Sequence, residues 1–514
     1  MPNSQSVQTG LKRQQIVTAA GLVELIGPWA TGAEPLNEQL ADALTRAIEV
    51  GLLPPGTRLP AERELAKELA LSRTTIVAAY DRLRLAGLAK SRQGSGTRVA
   101  ARRPGLYELT PPPSPVEETD IEAPTRLRLG WSSGVADVIE HPDAMQLTIG
   151  ALPAGPAVAE CVEAALREDV PPLLGEMGYD PFGWPTLRIA IARYLERLGV
   201  PTDPDQILVT NGAQQAVHLV AAHMGGPGNA VVLENPTYIG AIDAFRTTGN
   251  RLLPMPVDTD GPRVDVTRLL AASAPVRLAY VVPTYHNPTG ATMPEARRRE
   301  LATSAAEFGF HVIEDLTPDV SLGLDVPRPI AAFDHADRVI TLGSLSKIAW
   351  GGLRIGWIRA PRPDVDRLVA GKIVADHATS LITQAIAARV LDRVDEIVTF
   401  TRAAVAERRT AITEALSAKL PDWEWPATEG GLSLWVRLPD ADAVQFSRLA
   451  ARHGVIVRPG PLASPDGSYR DHIRIALGAD PDHLVEAVDR LALAWAEYAP
   501  VARRFTRSSL AVSV

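Results

Sequence analysis

An α/β body joined to a small helical module is the architecture this 514-residue sequence predicts. Three observations predict it. The length exceeds what one ordinary domain uses. From about residue 130, short β-branched runs alternate with Ala-rich helical stretches, the pattern of a mainly parallel sheet covered by helices. Residues 35–99 hold three helix-like segments followed by two strand-like segments around Gly94-Ser95-Gly96, the layout of a winged helix-turn-helix.

Composition narrows the class. Hydrophobic residues make up 46% and charged residues 22%, which supports a sizeable core. No run of 18 uncharged apolar residues appears, so no transmembrane helix is expected. The N-terminus lacks the basic-then-apolar order of a signal peptide. The single cysteine, Cys161, excludes an intramolecular disulfide and argues against a thiolate metal site; a reducing cytoplasm is the expected compartment. The net charge of −8 is uneven: residues 35–103 carry 12 Lys/Arg against 7 Asp/Glu, so a basic module precedes an acidic remainder. A polyanion is the natural partner for the module.

The elements follow in order. Residues 1–34 are expected to form an N-terminal tail with one helix within 11–27. Leu36, Leu40, Leu44 and Ile48 recur at steps of four, one face of a helix. After a Pro/Gly turn comes a short helix in "AERELAKELA". Ser72 caps the next helix, whose Ile76, Tyr80 and Leu83 face inward. Residues 100–130 hold "PPPSP" and the acidic stretch Glu117, Glu118, Asp120 and Glu122, a semi-stiff linker able to span on the order of 70 Å. The body covers 131–500, with strands expected at 207–210, 230–234, 278–282, 311–314, 338–342 and 355–358. A smaller C-terminal lobe is expected over about 365–500 and a C-terminal tail over 501–514.

In a helix-turn-helix the second helix enters the major groove with its N-terminal residues against base edges. Here that end reads Ser72-Arg73-Thr74-Thr75. Arginine bonds guanine bidentately, and threonine meets the thymine methyl or a phosphate. Arg63 on the preceding helix can reach the backbone. Gly94 lets a wing tip approach closely, and Arg92 adds positive charge beside it. The stretch from Pro35 to Val99, with "PGTRLPAERELA", "SRTT" and "GSGTRV", closely resembles the GntR-type winged helix. That resemblance implies DNA contacts by Arg63, Arg73, Thr74, Thr75 and Gly94. Val77 and Ala78 depart from members that carry a basic residue there.

The body contains a second constellation. Lys347 lies in "GSLSKIAWGGLRIGW", between two apolar runs. A lysine deprived of solvation favours its neutral amine, which attacks carbonyls. "TNGAQQAV" opens a helix after a strand, so Gly212, Ala213 and Gln214 offer a phosphate site. Tyr238 in "ENPTYIG" can stack on a flat ring. Asn287 in "YHNPTG" can bond a phenolic oxygen. Asp315, in "VIEDL", can hold a protonated ring nitrogen. Ser344, Ser346 and Arg354 surround Lys347 with phosphate-binding chemistry. An aldehyde, a phenolic oxygen, a basic ring nitrogen and a phosphate occur together in pyridoxal 5′-phosphate, and all these motifs fall near carboxyl ends of strands. His218 and His223 share a helix without supporting ligands, so no metal is expected. Trp184, Trp350 and Trp357 are expected in the core.

The order "GYDPFGWPTLRIAIARYL", "NGAQQA", "ENPTY", "NPTG", "ED", "SxSK", "GGLRIGW", "HIRIAL" closely resembles the fold-type I, class I/II aminotransferases. The resemblance implies that Tyr179 reaches the phosphate of a neighbouring subunit, hence a homodimer. It also implies that Arg474 and Gly150 receive a substrate α-carboxylate. Two departures stand out. Pro318 replaces the tyrosine that members commonly place three residues after the ring-nitrogen aspartate, and His286 precedes Asn287.

The whole layout is similar to the MocR-type regulators. That resemblance implies a DNA-binding transcriptional regulator acting on a double-stranded operator. Its aminotransferase-like domain dimerises and senses the cofactor or a small amino compound through aldimine exchange at Lys347. Two alternatives remain: a working aminotransferase with a DNA-binding appendage, and an inert dimerisation scaffold.

Overall fold

The computed structural model describes residues 18–26, 29–30, 35–49, 53, 57–85, 89–92, 96–99, 143–317 and 326–510. The linker, Gly94 and Pro318 lie outside them. Two compact units emerge, residues 1–119 and 120–514.

The first unit holds α1 (Ala19–Ile26), α2 (Leu36–Glu49), α3 (Glu62–Glu68), α4 (Arg73–Leu85), β1 (Ala89–Arg92) and β2 (Gly96–Val99). Leu40, Leu44, Leu65, Ile76, Tyr80 and Leu83 meet in one buried core. The four-residue spacing in α2 predicts Leu36 on this face too, but Leu36 begins the helix and is exposed. Leu22 of α1 is fully buried in the same core, so the unit reaches back into the stretch expected as a tail. The Tyr80 Oη donates to the Pro60 carbonyl at 3.0 Å, the partner a buried phenol needs. β1 and β2 pair antiparallel from Ala89↔Val99 to Arg92↔Gly96, forming the wing.

The strands of the second unit are β3 (Met145–Gln146), β4 (Ile207–Thr210), β5 (Ala230–Asn235), β6 (Arg251–Asp258), β7 (Gly261–Pro262), β8 (Val276–Val281), β9 (His311–Asp315), β10 (Val339–Ser344), β11 (Gly356–Arg359), β12 (Ser433–Arg437), β13 (Val455–Ile456), β14 (Arg458–Pro459) and β15 (His472–Ala476). Eight form one sheet in the order β4-β11-β10-β9-β8-β5-β6-β7. β11 runs antiparallel to both its neighbours, and β7 runs antiparallel to β6; the other pairings are parallel. Strands β4, β5, β9 and β10 are buried throughout because helices cover both faces. Alternate residues feed two cores: Val209, Val232, Val281 and Val312 on one face, Leu208, Leu233, Tyr280 and Ile313 on the other. β6 escapes sequence reading because Pro254 and Pro256 interrupt it and most of it is not buried.

The smaller lobe has its own core around β12-β15-β14, with Phe446, Ile473, Ile475 and Leu484. Its extent differs from the expected 365–500. The helices Arg362–Asp376 and Leu381–Asp392 pack on the large sheet through Leu368 and Ala387, while β3 and Leu147 join the small lobe. The last helix runs Pro481–Leu510, into the stretch expected as a tail. Trp357 is core, as expected, and it requires Gly343: a Cβ there would lie 2.2 Å from the indole. Trp350 is not core; it is 42% exposed. No helix among the described residues is long and apolar enough to cross a membrane.

Candidate functional site

The carboxyl ends of β5, β8, β9 and β10 and the helix following β4 open on one cavity of about 720 Å3. Of the residues expected to bind cofactor or substrate, Gly150, Ala213, Gln214, Tyr238, Asn287, Asp315, Ser346, Lys347, Arg354 and Arg474 line it. Gly212, Ser344 and Tyr179 do not.

Lys347 stands in the turn after β10, most of it buried. Loss of solvation, then the charges of Arg474 and Arg354, pull its ammonium pKa down to about 8, against the opposing pull of Asp315. The amine is therefore partly neutral near physiological pH, the form that attacks a carbonyl.

Asp315 ends β9, fully enclosed. Its Oδ2 accepts from the Tyr280 Oη at 2.6 Å, and its Oδ1 accepts from the Thr317 N–H at 2.8 Å. Burial raises its pKa in spite of these bonds. A protonated ring nitrogen against this carboxylate would offset that effect, so the site suits a pyridinium.

Asn287 turns its Oδ1 to Arg474, whose Nε donates over 2.9 Å. The amide NH2 is the face left for a phenolic oxygen. Arg474 also donates from Nη1 to the Thr148 carbonyl at 3.1 Å. Gly150 gives it room, since a Cβ there would sit 3.2 Å from Nη2. Tyr238 donates from Oη to Gln214 Oε1 at 2.9 Å, and Gln214 Nε2 donates to the Gly240 carbonyl at 2.9 Å. That brace fixes the ring at the cavity wall. Burial, reinforced by Asp315, pushes the phenol up to about 12, so it stays protonated.

The expected phosphate end is built by close backbone approach. Gly212 has φ +78°, and a Cβ there would stand 2.8 Å from Arg354 Nη2. Gly356 is equally constrained: a Cβ there would stand 2.6 Å from the Gly212 carbonyl carbon. Arg354 donates from Nη2 to the Asn211 carbonyl at 3.0 Å, beside the N-terminus of the helix Ala213–Val220. Ser344 lies behind Ser346: its Oγ contacts Ser346 Oγ at 2.9 Å and donates to the Ile355 carbonyl at 3.1 Å. It positions the turn instead of facing the cavity. Tyr179 is 76% exposed on a separate loop, edge-on to His377.

Sequence reading missed several residues. Tyr280 supports Asp315; a lone tyrosine within an apolar strand carries the signal that its hydroxyl needs a buried partner. Glu234 and His286 form a fully buried pair at 3.2 Å; Glu234 Oε1 accepts from the Val282 N–H at 3.0 Å. His286 thus joins the ends of β5 and β8. Asp376 accepts from Lys372, Gln215 and Asn211, a network beneath the expected phosphate end. Arg458 lines the cavity beside Arg474. His218 also lines it, while His223 packs against Gly371.

On the first unit, Arg63, Ser72, Arg73 and Thr74 are exposed and Thr75 is half-buried. Ser72 Oγ accepts from the Thr75 N–H at 3.1 Å and contacts Thr74 Oγ1 at 2.7 Å, so the cap holds this end of α4 rigid. Arg73 pairs with Glu62 at 3.3 Å on the surface. Arg92 is in β1, opposite Gly96.

The body and its cavity define a class I/II aminotransferase-like domain, and the smaller unit is a winged-helix DNA reader. Residues 142–491 match the family of aminotransferase class I and II, and residues 36–99 match the bacterial regulatory proteins of the gntR family. The chain belongs to the MocR-type regulators, in which these two domains are fused. It is 29% identical over 457 residues to the uncharacterized HTH-type transcriptional regulator YisV of Bacillus subtilis, covering 86% of this chain and 92% of that one. It is also 29% identical over 490 residues to the HTH-type transcriptional regulator TauR of Rhodobacter capsulatus, covering 90% and 97%. Among solved structures, the kynurenine aminotransferase of Pyrococcus horikoshii in complex with PMP superposes with a TM-score of 0.65 at 29% identity, covering 71% of this chain and 94% of that one. LysN, an α-aminoadipate aminotransferase from Thermus thermophilus complexed with N-(5′-phosphopyridoxyl)-L-leucine, gives 0.63 at 28% identity, covering 71% and 97%. The cofactor of this domain is pyridoxal 5′-phosphate.

Proposed function

We propose that this protein is a cytoplasmic transcriptional regulator whose aminotransferase-like body dimerises, holds pyridoxal phosphate and senses an amino compound by exchange at the Lys347 amine. Bound, the cofactor supplies an aldehyde and an electron-withdrawing ring. Lys347 offers a partly neutral Nζ, Asp315 keeps the ring nitrogen protonated, and Arg354 with the backbone at Gly212–Gln214 receives the phosphate. Arg474 receives the ligand's α-carboxylate, which ties the large sheet to β15 of the smaller lobe. A ligand shifts the protein only by its differential affinity for two arrangements, and a lobe-bridging arginine supplies such a difference.

The observation that carries this reading is the coexistence of a lysine drawn down to about 8 with Asp315 and Arg474 in one cavity, on a chain with a DNA-reading unit. Exposed Leu174, Met177 and Tyr179, with Val374 near His377, form an apolar surface that a second copy would cover. In that dimer Tyr179 would reach the partner's phosphate, the role the aminotransferase resemblance implies. Arg63, Arg73, Thr74 and Thr75, with Arg92 on the wing and Gly94, contact the operator.

The test uses the full chain loaded with pyridoxal phosphate. Amino acids are screened for a change in visible absorption and in affinity for DNA from upstream of the gene. Coupled changes support the regulator. A colourless protein, or DNA binding indifferent to every amino compound, rejects it. The assembled Lys347, Asp315 and Arg474 also favour a second reading, a working transaminase; multiple turnovers with a keto-acid acceptor would establish that activity.

A further inference from the structure

The wing is wider than its two long strands. Leu59 donates its N–H to the Thr97 carbonyl at 2.9 Å, and Val99 donates to the Thr57 carbonyl at 2.9 Å, so residues 57–59 run beside β2 as a third, short edge. Arg58 bridges Arg98, and Arg98 pairs in turn with Lys90. Residues opposite one another on neighbouring strands share a face, so Arg58, Arg98 and Lys90 stand in one row. Burial alternates accordingly: Thr57, Leu59, Ala89, Thr97 and Val99 are buried, Lys90 and Gly96 are exposed, and Arg58 and Arg98 are half-buried. Arg58 leans along the outward face toward the end of the wing. A Cβ on Gly96, where φ is +76°, would stand 3.1 Å from Arg58 Nε and 3.4 Å from Nη2, so the guanidinium lies across that glycine. Arg98 is already engaged by another group; among the described residues, Arg58 and Lys90 have no hydrogen-bond or ion-pair partner. No acid occurs in the three segments of this sheet. Of the helix acids, Glu62, Glu38 and Asp81 pair with Arg73, Arg82 and Arg84. The Tyr80 bond to the Pro60 carbonyl ties the segment carrying Arg58 to α4, the helix expected in the major groove.

We propose that this outward face is a phosphate-contact surface for the DNA duplex, with Arg58 and Lys90 each taking one backbone phosphate on either side of Arg98. Neighbouring strands lie about 4.8 Å apart, so the two backbones that carry these cations are roughly 10 Å apart. The guanidinium receives a phosphate through paired hydrogen bonds, and the ammonium receives one as a point charge. Gly96 has no side chain to cover the guanidinium. Like charges in one row are unfavourable in the free protein, and a polyanion laid along the row relieves that cost. Arg58 therefore acts with the wing, although it stands far from β1 and β2 in sequence. This rests on the reading of the smaller unit as DNA-binding.

The test follows the affinity of the full chain across a salt series, with DNA from upstream of the gene and with a random-sequence duplex. Arg58→Gln and Lys90→Gln should each reduce the slope of log affinity against log salt by about 1, and the double variant by about 2, on both duplexes alike. Arg58→Lys should keep the parent slope because it keeps the charge. Arg82→Gln removes a cation already paired with Glu38 at 2.7 Å and should keep the parent slope too. Cations on sheet edges also discourage edge-to-edge pairing, a role that would leave the slope unmoved. Should Arg58→Gln fail to fold, Lys90→Gln alone decides, and an unchanged slope there overturns the row. A parent slope retained in either folded single variant, or a loss confined to particular base pairs, also overturns the proposal. A parent chain that binds neither duplex overturns the DNA-binding reading itself, a result distinct from an unmoved slope.

Discussion

Tyr280 Oη reaches Asp315 Oδ2 across 2.6 Å, from the neighbouring strand of the large sheet. Both groups are buried, and the phenol holds its proton because burial and the Asp315 charge raise its pKa well above the ordinary value. The bond therefore always runs from tyrosine to carboxylate. It orients Asp315, the carboxylate proposed to meet the cofactor's ring nitrogen. Tyr280→Phe should cost about 1.5–3 kcal/mol, the range for a hydrogen bond to a charged group, read from denaturant midpoints. Pyridoxal phosphate should also dissociate more readily from the variant, because Asp315 loses a donor that favours its charged form.

Lys347 sets a pH dependence. Its folded-state pKa is depressed to about 8, so the charged form is penalised in the folded protein. The penalty is fully present below about pH 8 and is relieved as pH rises from there to the ordinary lysine value. Cofactor-free Lys347→Met should therefore be more stable than the parent at pH 7, with the gap closing above pH 8. Capture of pyridoxal phosphate, followed by visible absorption, should accelerate with pH and level off above about 8. An increase continuing to about pH 10 would mean an ordinary, solvated lysine.

Beneath the expected phosphate end, Lys372 is fully buried and donates to Asp376 at 2.7 and 2.9 Å. Asp376 also holds Gln215 at 2.7 Å and Asn211, whose carbonyl receives Arg354. Asp376→Ala leaves a buried cation unpaired and should destabilise the body by about 3–5 kcal/mol. The double variant Lys372→Met/Asp376→Ala should recover part of that loss. Both changes are measured by chemical denaturation, with phosphate binding to the cofactor-free protein as the second readout; phosphate should weaken in either variant.

On the DNA side, Arg63→Ala should weaken binding alike for all sequences and reduce the salt slope by about 1, as a phosphate contact does. Arg73→Ala should cost about 1–3 kcal/mol and relax discrimination at one base pair. Fluorescence anisotropy across a salt series and a panel of single-base variants separates the two.

Much of the chemistry was legible because it is bound to short motifs at strand ends. Lys347, Asp315, Asn287 and Tyr238 each follow an apolar run that reads as a strand, and the structure brings all four to one cavity. Ser344 shows the limit: two residues from Ser346 in sequence, it turns behind the cavity wall and bonds the Ile355 carbonyl. The direction of a residue at a strand end depends on the strand packed beside it, here β11, whose Gly356 pairs with Ser344. Leu36 likewise obeys the helical period yet stays exposed, because periodicity gives a face and not where the core stops.

The sequence by itself determined the two-part architecture and the cofactor and singled out Lys347 as the candidate amine, because hydrophobic period, turn residues and reactive side chains are local properties. Only the tertiary structure decided which distant residues share a charge environment. Arg458 and Arg474 are opposed through a strand pairing, Tyr280 meets Asp315 across a parallel register, and Lys372 is buried against Asp376. Electrostatic energy depends on separation in space and on exclusion of water, and both are set by how the chain folds back on itself.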